Sequence, residues 1–265
     1  MRISNPKSLQ QFVIAALICF SSFLHSQDSA PLFRDVTSNA KISFDHVPFI
    51  TNSLNEALEG VFGTGAAWFD FDRDGDLDLY VTQGIGSNKL FRNNSDGTFS
   101  DMTLDVGIDN PDMGMSAAFF DSDNDGWLDF YVGTGYPSLD ALMPNLLFRN
   151  DKGKRFQEIT NAGFGHLQKG HGISFADLDN DGDQDIYHSL GGFVKADGFW
   201  NILLENPGSG NNWITLDLKG VRSNRSAIGT EITIQASGPS IDRTIYRVVG
   251  TGGSYGSSSL QQEIG

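Results

Sequence analysis

Three short segments of the chain share the form D-x-D-x-D-G-x-x-D. The first carries Asp70, Asp72, Asp74, Gly75 and Asp78. The second has Asp121, Asp123, Asp125, Gly126 and Asp129. The third has Asp177, Asp179, Asp181, Gly182 and Asp185. A hard divalent cation takes six to eight oxygens at about 2.3–2.6 Å. Alternate residues of a tightly curled loop aim carboxylates inward. Glycine at position six permits the sharp turn, and the backbone carbonyl at position seven adds a ligand. Those carbonyls belong to Asp76, Trp127 and Asp183. The aspartate at position nine closes the shell from the start of whatever element follows.

The same loop start occurs in helix–loop–helix calcium sites, but those need Glu at position twelve. Position twelve here is Val81, Val132 and His188. A single acidic loop leaves room for a solvated turn; three at matching places in a repeat leave little. The loops hold 5, 4 and 5 aspartates, offset only by Arg73, so their net charge is −13 against −15 for the whole chain. Carboxylates packed this closely repel unless protonated or bound to a cation. With no His or thiolate donors in the loops, zinc and copper are disfavoured. Magnesium prefers a smaller, more hydrated site. Ca2+ at about three sites is the expectation.

The elements that position these loops form a repeat. The copies read GTGAAWFDFDRDGDLDLYV (63–81), GMSAAFFDSDNDGWLDFYV (114–132) and GHGISFADLDNDGDQDIYH (170–188). A second element follows each: KLFRNNSDGTFSDMT (89–103), LLFRNDKGKRFQEIT (146–160) and the looser ILLENPGSGNNWITL (202–216). The turn residues Asn94–Gly97 and Asn150–Gly153 predict β-hairpins. An outlying PLFRDVT (31–37) resembles the second strand of such a hairpin. After each loop, period-2 alternation predicts a strand with one apolar face: Leu77, Leu79 and Val81, then Leu128, Phe130 and Val132. In the third copy Gln184 and His188 flank Ile186 on that face. Trp68, Phe69, Phe119, Phe120 and Phe175, just before the loops, read as core strand residues. No long helical pattern follows residue 26. Short strands repeating every ~50 residues with Gly-rich turns predict an all-β array of propeller-type blades.

The chain has 265 residues, 39% hydrophobic and 11% aromatic, enough for a core. Its acidity, 33 Asp+Glu against 18 Lys+Arg, argues against a nucleic-acid surface. Arg2 and Lys7 precede an apolar run from Phe12 to Leu24, followed by Ser26-Gln27-Asp28-Ser29. That layout predicts a signal peptide over 1–26 and a secreted, extracellular or periplasmic, mature chain. The mature chain has no apolar run long enough for a membrane span. The single cysteine, Cys19, lies inside the apolar run, so the mature chain has no disulfides.

The units resemble the FG-GAP/VCBS-type repeats of integrin-like β-propellers, with their D-x-D-x-D-G-x-x-D calcium loops. The tail resembles the ASPIC/UnbV domain, known for an N-R-x-A-I-G run and a G-G-S-Y run. Here these are Asn224–Gly229 and Gly252–Tyr255. Together they resemble the secreted cartilage-acidic-protein-like family. The resemblance implies repeats over 27–208 and a small β module over 209–265, after a Pro/Gly/Asn-rich stretch at Asn206–Asn212. With three loops, the expectation is a partial or incomplete propeller. The alternation of Leu260, Gln262 and Ile264 breaks off at Gly265, so the module is expected to be truncated.

An enzyme is not expected. Gly252-Gly253-Ser254-Tyr255-Gly256 matches a G-x-S-x-G nucleophile pattern but lacks the strand–turn–helix setting that motif needs. His166 and His171 near the third loop read as ordinary packing or surface residues. The function that best fits is an extracellular interaction or adhesion scaffold with structural calcium, its partner an extracellular protein or glycan. The alternative is an accessory or catalytic component of a secreted redox or biosynthetic system, resting on the UnbV resemblance alone.

Overall fold

The computed structural model describes residues 33–44, 65–83, 86–109, 114–135, 143–160, 163, 167–191, 198–238, 241–252 and 256–265. The expected signal peptide, His166 and Gly253–Tyr255 lie outside the described residues. The chain divides into two compact units, 1–37 and 38–265. In the first, the Thr37 amide donates to the Asp35 carboxylate at 2.9 Å. Residues 33–37 form no strand.

The second unit is all β, with no helix among the described residues. β1 (Ala66–Phe69), β2 (Asp78–Val81), β3 (Lys89–Asn93) and β4 (Phe99–Asp101) form one antiparallel meander, blade 1. β5 (Gly114–Phe120), β6 (Asp129–Thr134), β8 (Leu146–Asn150) and β9 (Phe156–Glu158) repeat it as blade 2. β7 (Met143–Pro144), in the connection from β6 to β8, pairs with β10 (Leu167–Gln168), just before blade 3. β11 (Gly170–Ala176), β12 (Asp185–Leu190) and β13 (Ile202–Leu204) form the three-stranded blade 3. β14 (Ile214–Leu216) pairs with β17 (Gln262–Ile264), and β15 (Glu231–Gly238) forms a hairpin with β16 (Ile241–Val248). Each acidic loop thus joins the first two strands of a blade, and the hairpin at 94–98 or 151–155 joins the last two. These are propeller-type blades, and the sheets do not close into a barrel.

The second element of the third copy departs from expectation. Ile202–Leu204 pairs with β12, but Ile214–Leu216 pairs with the far C-terminal strand rather than folding back as a hairpin. The intervening Asn206–Asn212 is tied down elsewhere. Asn206 Nδ2 donates to the Ser122 carbonyl at 2.8 Å and Asn211 Nδ2 to the Asp123 carbonyl at 2.8 Å. Residues 209–265 accordingly pack in the same compact unit as the blades.

Packing also revises the alternation. In blades 1 and 2 both faces of the post-loop strand are covered: Tyr80 and Tyr131, on the face opposite the expected one, are among the most buried side chains. In blade 3, His188 and Gln184 are buried with Ile186. Phe69 and Phe120 are core and Phe119 and Phe175 half-buried, whereas Trp68 is 56% exposed. One cluster joins Phe69, Tyr80 and Leu90 of blade 1 to Phe130, Phe148 and Phe156 of blade 2. A second joins Ala118, Tyr131 and Leu147 of blade 2 to Ile173 and Ile186 of blade 3. Phe130 is the hub of the first, with ring centroids 4.7 Å from Phe148, 4.8 Å from Phe156 and 5.0 Å from Tyr80. Such pairs add to burial when offset or edge-on.

Phe130→Ala is therefore expected to cost about 3–5 kcal/mol. Leu104→Ala, at an exposed turn position, should stay within about 0.5 kcal/mol. Urea unfolding of the two variants beside the wild type checks both.

Candidate metal loops

The three loops fold the same way because the same hydrogen bonds recur at the same positions. At position one, Asp70, Asp121 and Asp177 each accept from the amide of the position-six glycine, at 3.1, 2.9 and 3.0 Å. At position five, Asp74, Asp125 and Asp181 each accept from the amide two residues on, at 2.9, 2.8 and 3.0 Å. The glycines have φ of 95°, 84° and 91°, where a side chain is strained. Position four is also left-handed, with φ of 60° at Arg73, 53° at Asn124 and 64° at Asn180. Asparagine tolerates that region well.

The structure gathers oxygens of Asp70, Asp72 and Asp78 within 4.8 Å of one another in loop 1. In loop 2 it gathers Asp121, Asp123 and Asp125, and in loop 3 Asp177, Asp179 and Asp181. Loop 3 is the most exposed of the three. Asp74 falls outside the gathered set of loop 1, and Asp129 and Asp185 outside those of loops 2 and 3. Asp76 and Asp183 use their side chains elsewhere: Asp76 accepts from the Ser95 hydroxyl, and Asp183 from Asn124 Nδ2 at 2.8 Å.

The ninth aspartate has a structural task in every copy. Asp78 accepts from the amides of Phe71 (3.0 Å) and Asn93 (2.8 Å), one on each oxygen. Asp129 accepts likewise from Ser122 (3.1 Å) and Asn150 (2.7 Å), and Asp185 from Leu178 (3.0 Å) and Asn206 (2.9 Å). Each carboxylate thus staples its loop to the strand two places on in the blade or to the turn that ends it. The asparagines extend the staple. Asn150 Nδ2 donates to the Phe71 carbonyl of loop 1 at 2.9 Å and to Leu128 of its own loop at 3.1 Å. Asn206 Nδ2 does the same toward Ser122 of loop 2 and Gln184. Sequence reasoning passed over these residues, although each repeat shows the signal, an Asn closing FRN, FRN and LEN.

The C-terminal segment covers the loops. Tyr246 lies over Gly75, with ring carbons 3.8 Å from where a Cβ would stand. The Gly265 carbonyl and Ile245 lie over Gly126, and the Trp213 ring occupies the Cβ position of Gly182. Loop 2 receives four arginines, one of them Arg149, which lies 3.9 Å from the Asp123 carboxylate. Arg247 pairs with Asp121 at 3.4 Å and donates to the Gly126 carbonyl at 3.0 Å. Arg243 and Arg73 both donate to the Asp125 carbonyl. Arg73 also stacks on Trp127, 3.8 Å from the ring centroid.

Burial pushes the Asp70 carboxyl up to about 6, helped by Asp74 and Asp72. It likewise raises Asp121 to about 6 and Asp78 to about 7. Asp72 and Asp123 are also raised, by burial first and then by a neighbouring aspartate. Asp70 Oδ1, Asp72 Oδ1 and Asp123 Oδ1 are buried with no hydrogen-bond partner among the described residues. Unpaired buried acceptors are rare in folded proteins because desolvating them is costly. An all-oxygen donor set with such lone pairs fits a hard divalent cation.

The sequence matches the FG-GAP-like repeat family over residues 60–132 and 138–188. The chain contains FG-GAP-like repeats. The matched segments span the first two loops and blades and the third loop with the strands on either side of it. Among curated proteins it is similar to cartilage acidic protein 1 of Homo sapiens, 31% identical over 114 residues, which is 42% of this chain and 16% of that protein. The Xenopus tropicalis protein of the same name is also 31% identical over 114 residues, 42% of this chain and 17% of that protein. The chain thus matches about a sixth of the length of these relatives. No helix among the described residues is long and apolar enough to cross a membrane.

Two outcomes follow from this geometry. Asn150→Ala leaves the Phe71 and Leu128 carbonyls without their donor and should cost about 1–3 kcal/mol in chemical unfolding. The second concerns His188, buried between blades 2 and 3, with Tyr131 Oη 3.0 Å and Asn145 Nδ2 3.3 Å from Nδ1. Burial, then His171, lowers it to about 4 from 6.5. The unfolded chain binds that proton first, so the neutral ring's contribution is full above pH ~6.5 and lost as pH falls toward 4. Between pH 7.5 and 5 the wild type should lose about 2 kcal/mol relative to His188→Gln, a difference in which the carboxylate terms cancel.

Proposed function

We propose that this is a secreted calcium-binding repeat protein in which the metal is structural and the blades serve as an extracellular interaction scaffold for a protein or glycan partner. The observation that carries the metal reading is the set of buried, unpaired oxygens on Asp70, Asp72 and Asp123, inside loops that share one hydrogen-bond pattern. Asp70, Asp72 and Asp78 would hold the ion in loop 1, Asp121, Asp123 and Asp125 in loop 2, and Asp177, Asp179 and Asp181 in loop 3. A bound cation offsets the mutual repulsion of these carboxylates and the cost of burying them. The protein's own part is to hold the loop backbone ready through the position-six glycine and the ninth-position staple.

The similarity to cartilage acidic protein 1 and the signal-peptide layout support the extracellular placement. At free calcium a hundredfold above Kd, each site would stabilise the fold by about 2.7 kcal/mol. The melting temperature should rise with calcium to saturation and respond less to magnesium. Asp72→Ala, Asp123→Ala and Asp179→Ala should each remove one ion in calorimetric titration and weaken the calcium dependence stepwise. Because Asp70 and Asp121 are raised to about 6 without metal, protons compete below that pH, and calcium should bind more weakly at pH 5 than at 7.5. A melting temperature that is the same in calcium and in chelator, with a stoichiometry near zero, overturns the assignment.

A further inference from the structure

The blades stack through one interface used twice, and among the described residues each end of the stack leaves half of that interface exposed. The trailing face of blade 1 carries the cross-strand pair Tyr80–Leu90, and that of blade 2 the equivalent pair Tyr131–Leu147. These four are 1%, 0%, 0% and 8% exposed, each pair lying under the next blade. Blade 3 repeats the pair in the same register as Tyr187–Leu203. There they are 46% and 58% exposed.

The leading side has a matching knob, two residues before the first aspartate of each loop. Phe119 of blade 2 stacks on Phe69 of blade 1 with centroids 3.7 Å apart and meets Tyr80 edge-on at 5.8 Å. Phe175 of blade 3 stacks on Phe120 of blade 2 at 5.5 Å. The residue at this position in blade 1 is Trp68. Its neighbours on the same face, Leu79 and Phe91, are buried within the chain, while Trp68 itself is left exposed.

We propose that the trailing face of blade 3 is a docking surface for a second copy of this chain, which seats its Trp68 against Tyr187 and Leu203. Continuity with the two internal interfaces selects this occupant: the socket is the third instance of a surface already covered twice, and the knob is the third instance of the aromatic that covers it. The contact is head-to-tail, because knob and socket lie on different blades. Such heterologous contacts generate rings where the rotation closes and chains where it does not. Tryptophan and tyrosine are suited to this, since they bury large areas at low entropic cost.

The test is sedimentation velocity on the whole chain from about 1 to about 100 μM, in calcium, with Trp68→Asp, Leu203→Asp and Tyr187→Asp variants. All three positions are solvent-exposed, and unchanged melting temperatures will show that the variants fold. The wild type is expected to associate with rising concentration, and each variant to weaken association at least about tenfold. An equimolar mixture of Trp68→Asp and Leu203→Asp should regain a dimer, because each supplies the half that the other lacks. Three outcomes overturn the proposal: a wild type that stays monomeric across the range, variants that associate as the wild type does, or a mixture that fails to complement. Loss of association in Leu203→Asp but not in Trp68→Asp would mean a symmetric face-to-face dimer and would also overturn it.

Discussion

The whole arrangement depends on a buried carboxylate that must find two amide donors. Asp78, Asp129 and Asp185 each sit at the start of a central strand, where water cannot solvate them. A carboxylate there is costly unless its oxygens are satisfied. Each finds one N–H in its own loop and one at the asparagine at or just past the end of the next strand of the blade. These bonds fix the curl of the loop and the position of the following strand together. Through Asn150 and Asn206 they also fix the preceding loop, because each asparagine side chain donates to that loop's position-two carbonyl. Blade follows blade in register because a polar group at each turn would otherwise be left unpaired.

With the loops held this way, charge becomes the difficulty. Position one is fixed by the amide of the position-six glycine, and positions three and five crowd against it. Asp70 and Asp121 are raised by burial first, with like charges adding to it. Among the described residues loop 2 alone has an arginine paired to its first aspartate, and Arg247 comes from the C-terminal hairpin rather than the repeats. The C-terminal segment thereby does two things. It lays a residue over each loop glycine, Tyr246, Gly265 and Trp213 in turn, and it partly compensates the charge of the most buried loop.

Between the loops and the far ends of the blades, aromatic packing sets the stack. Phe119 and Phe175 pass from one blade to the one before, so the core is a series of clusters between blades rather than one core within each. That is why β2 and β6 are covered on both faces, whereas Tyr187 of β12, at the end of the stack, is exposed.

Much of this was legible in the residues. The loop spacing, the glycine at position six and the hairpin turns are local: each depends on backbone conformation and on bonds between residues a few places apart, which a repeated sequence displays directly. Strand identity followed for the same reason. What only the tertiary structure decided is what each face meets. Period 2 separates the two faces of a strand but cannot say that both are buried, so Tyr80 and Tyr131 looked like the solvent side, and Trp68 looked like core beside Phe119 and Phe175. The polar His188 and Gln184 interrupt the apolar face of the third copy, yet they are buried with Ile186. The dual role of the ninth aspartate was hidden for a related reason. Its second donor lies 15 residues away in Asn93 and 21 in Asn150 and Asn206. The cover over the loop glycines comes from farther still, Tyr246 onto Gly75 and Gly265 onto Gly126. Local chemistry is written in neighbouring residues; burial and long-range pairing depend on which surfaces the folded chain brings together, and no single segment contains that.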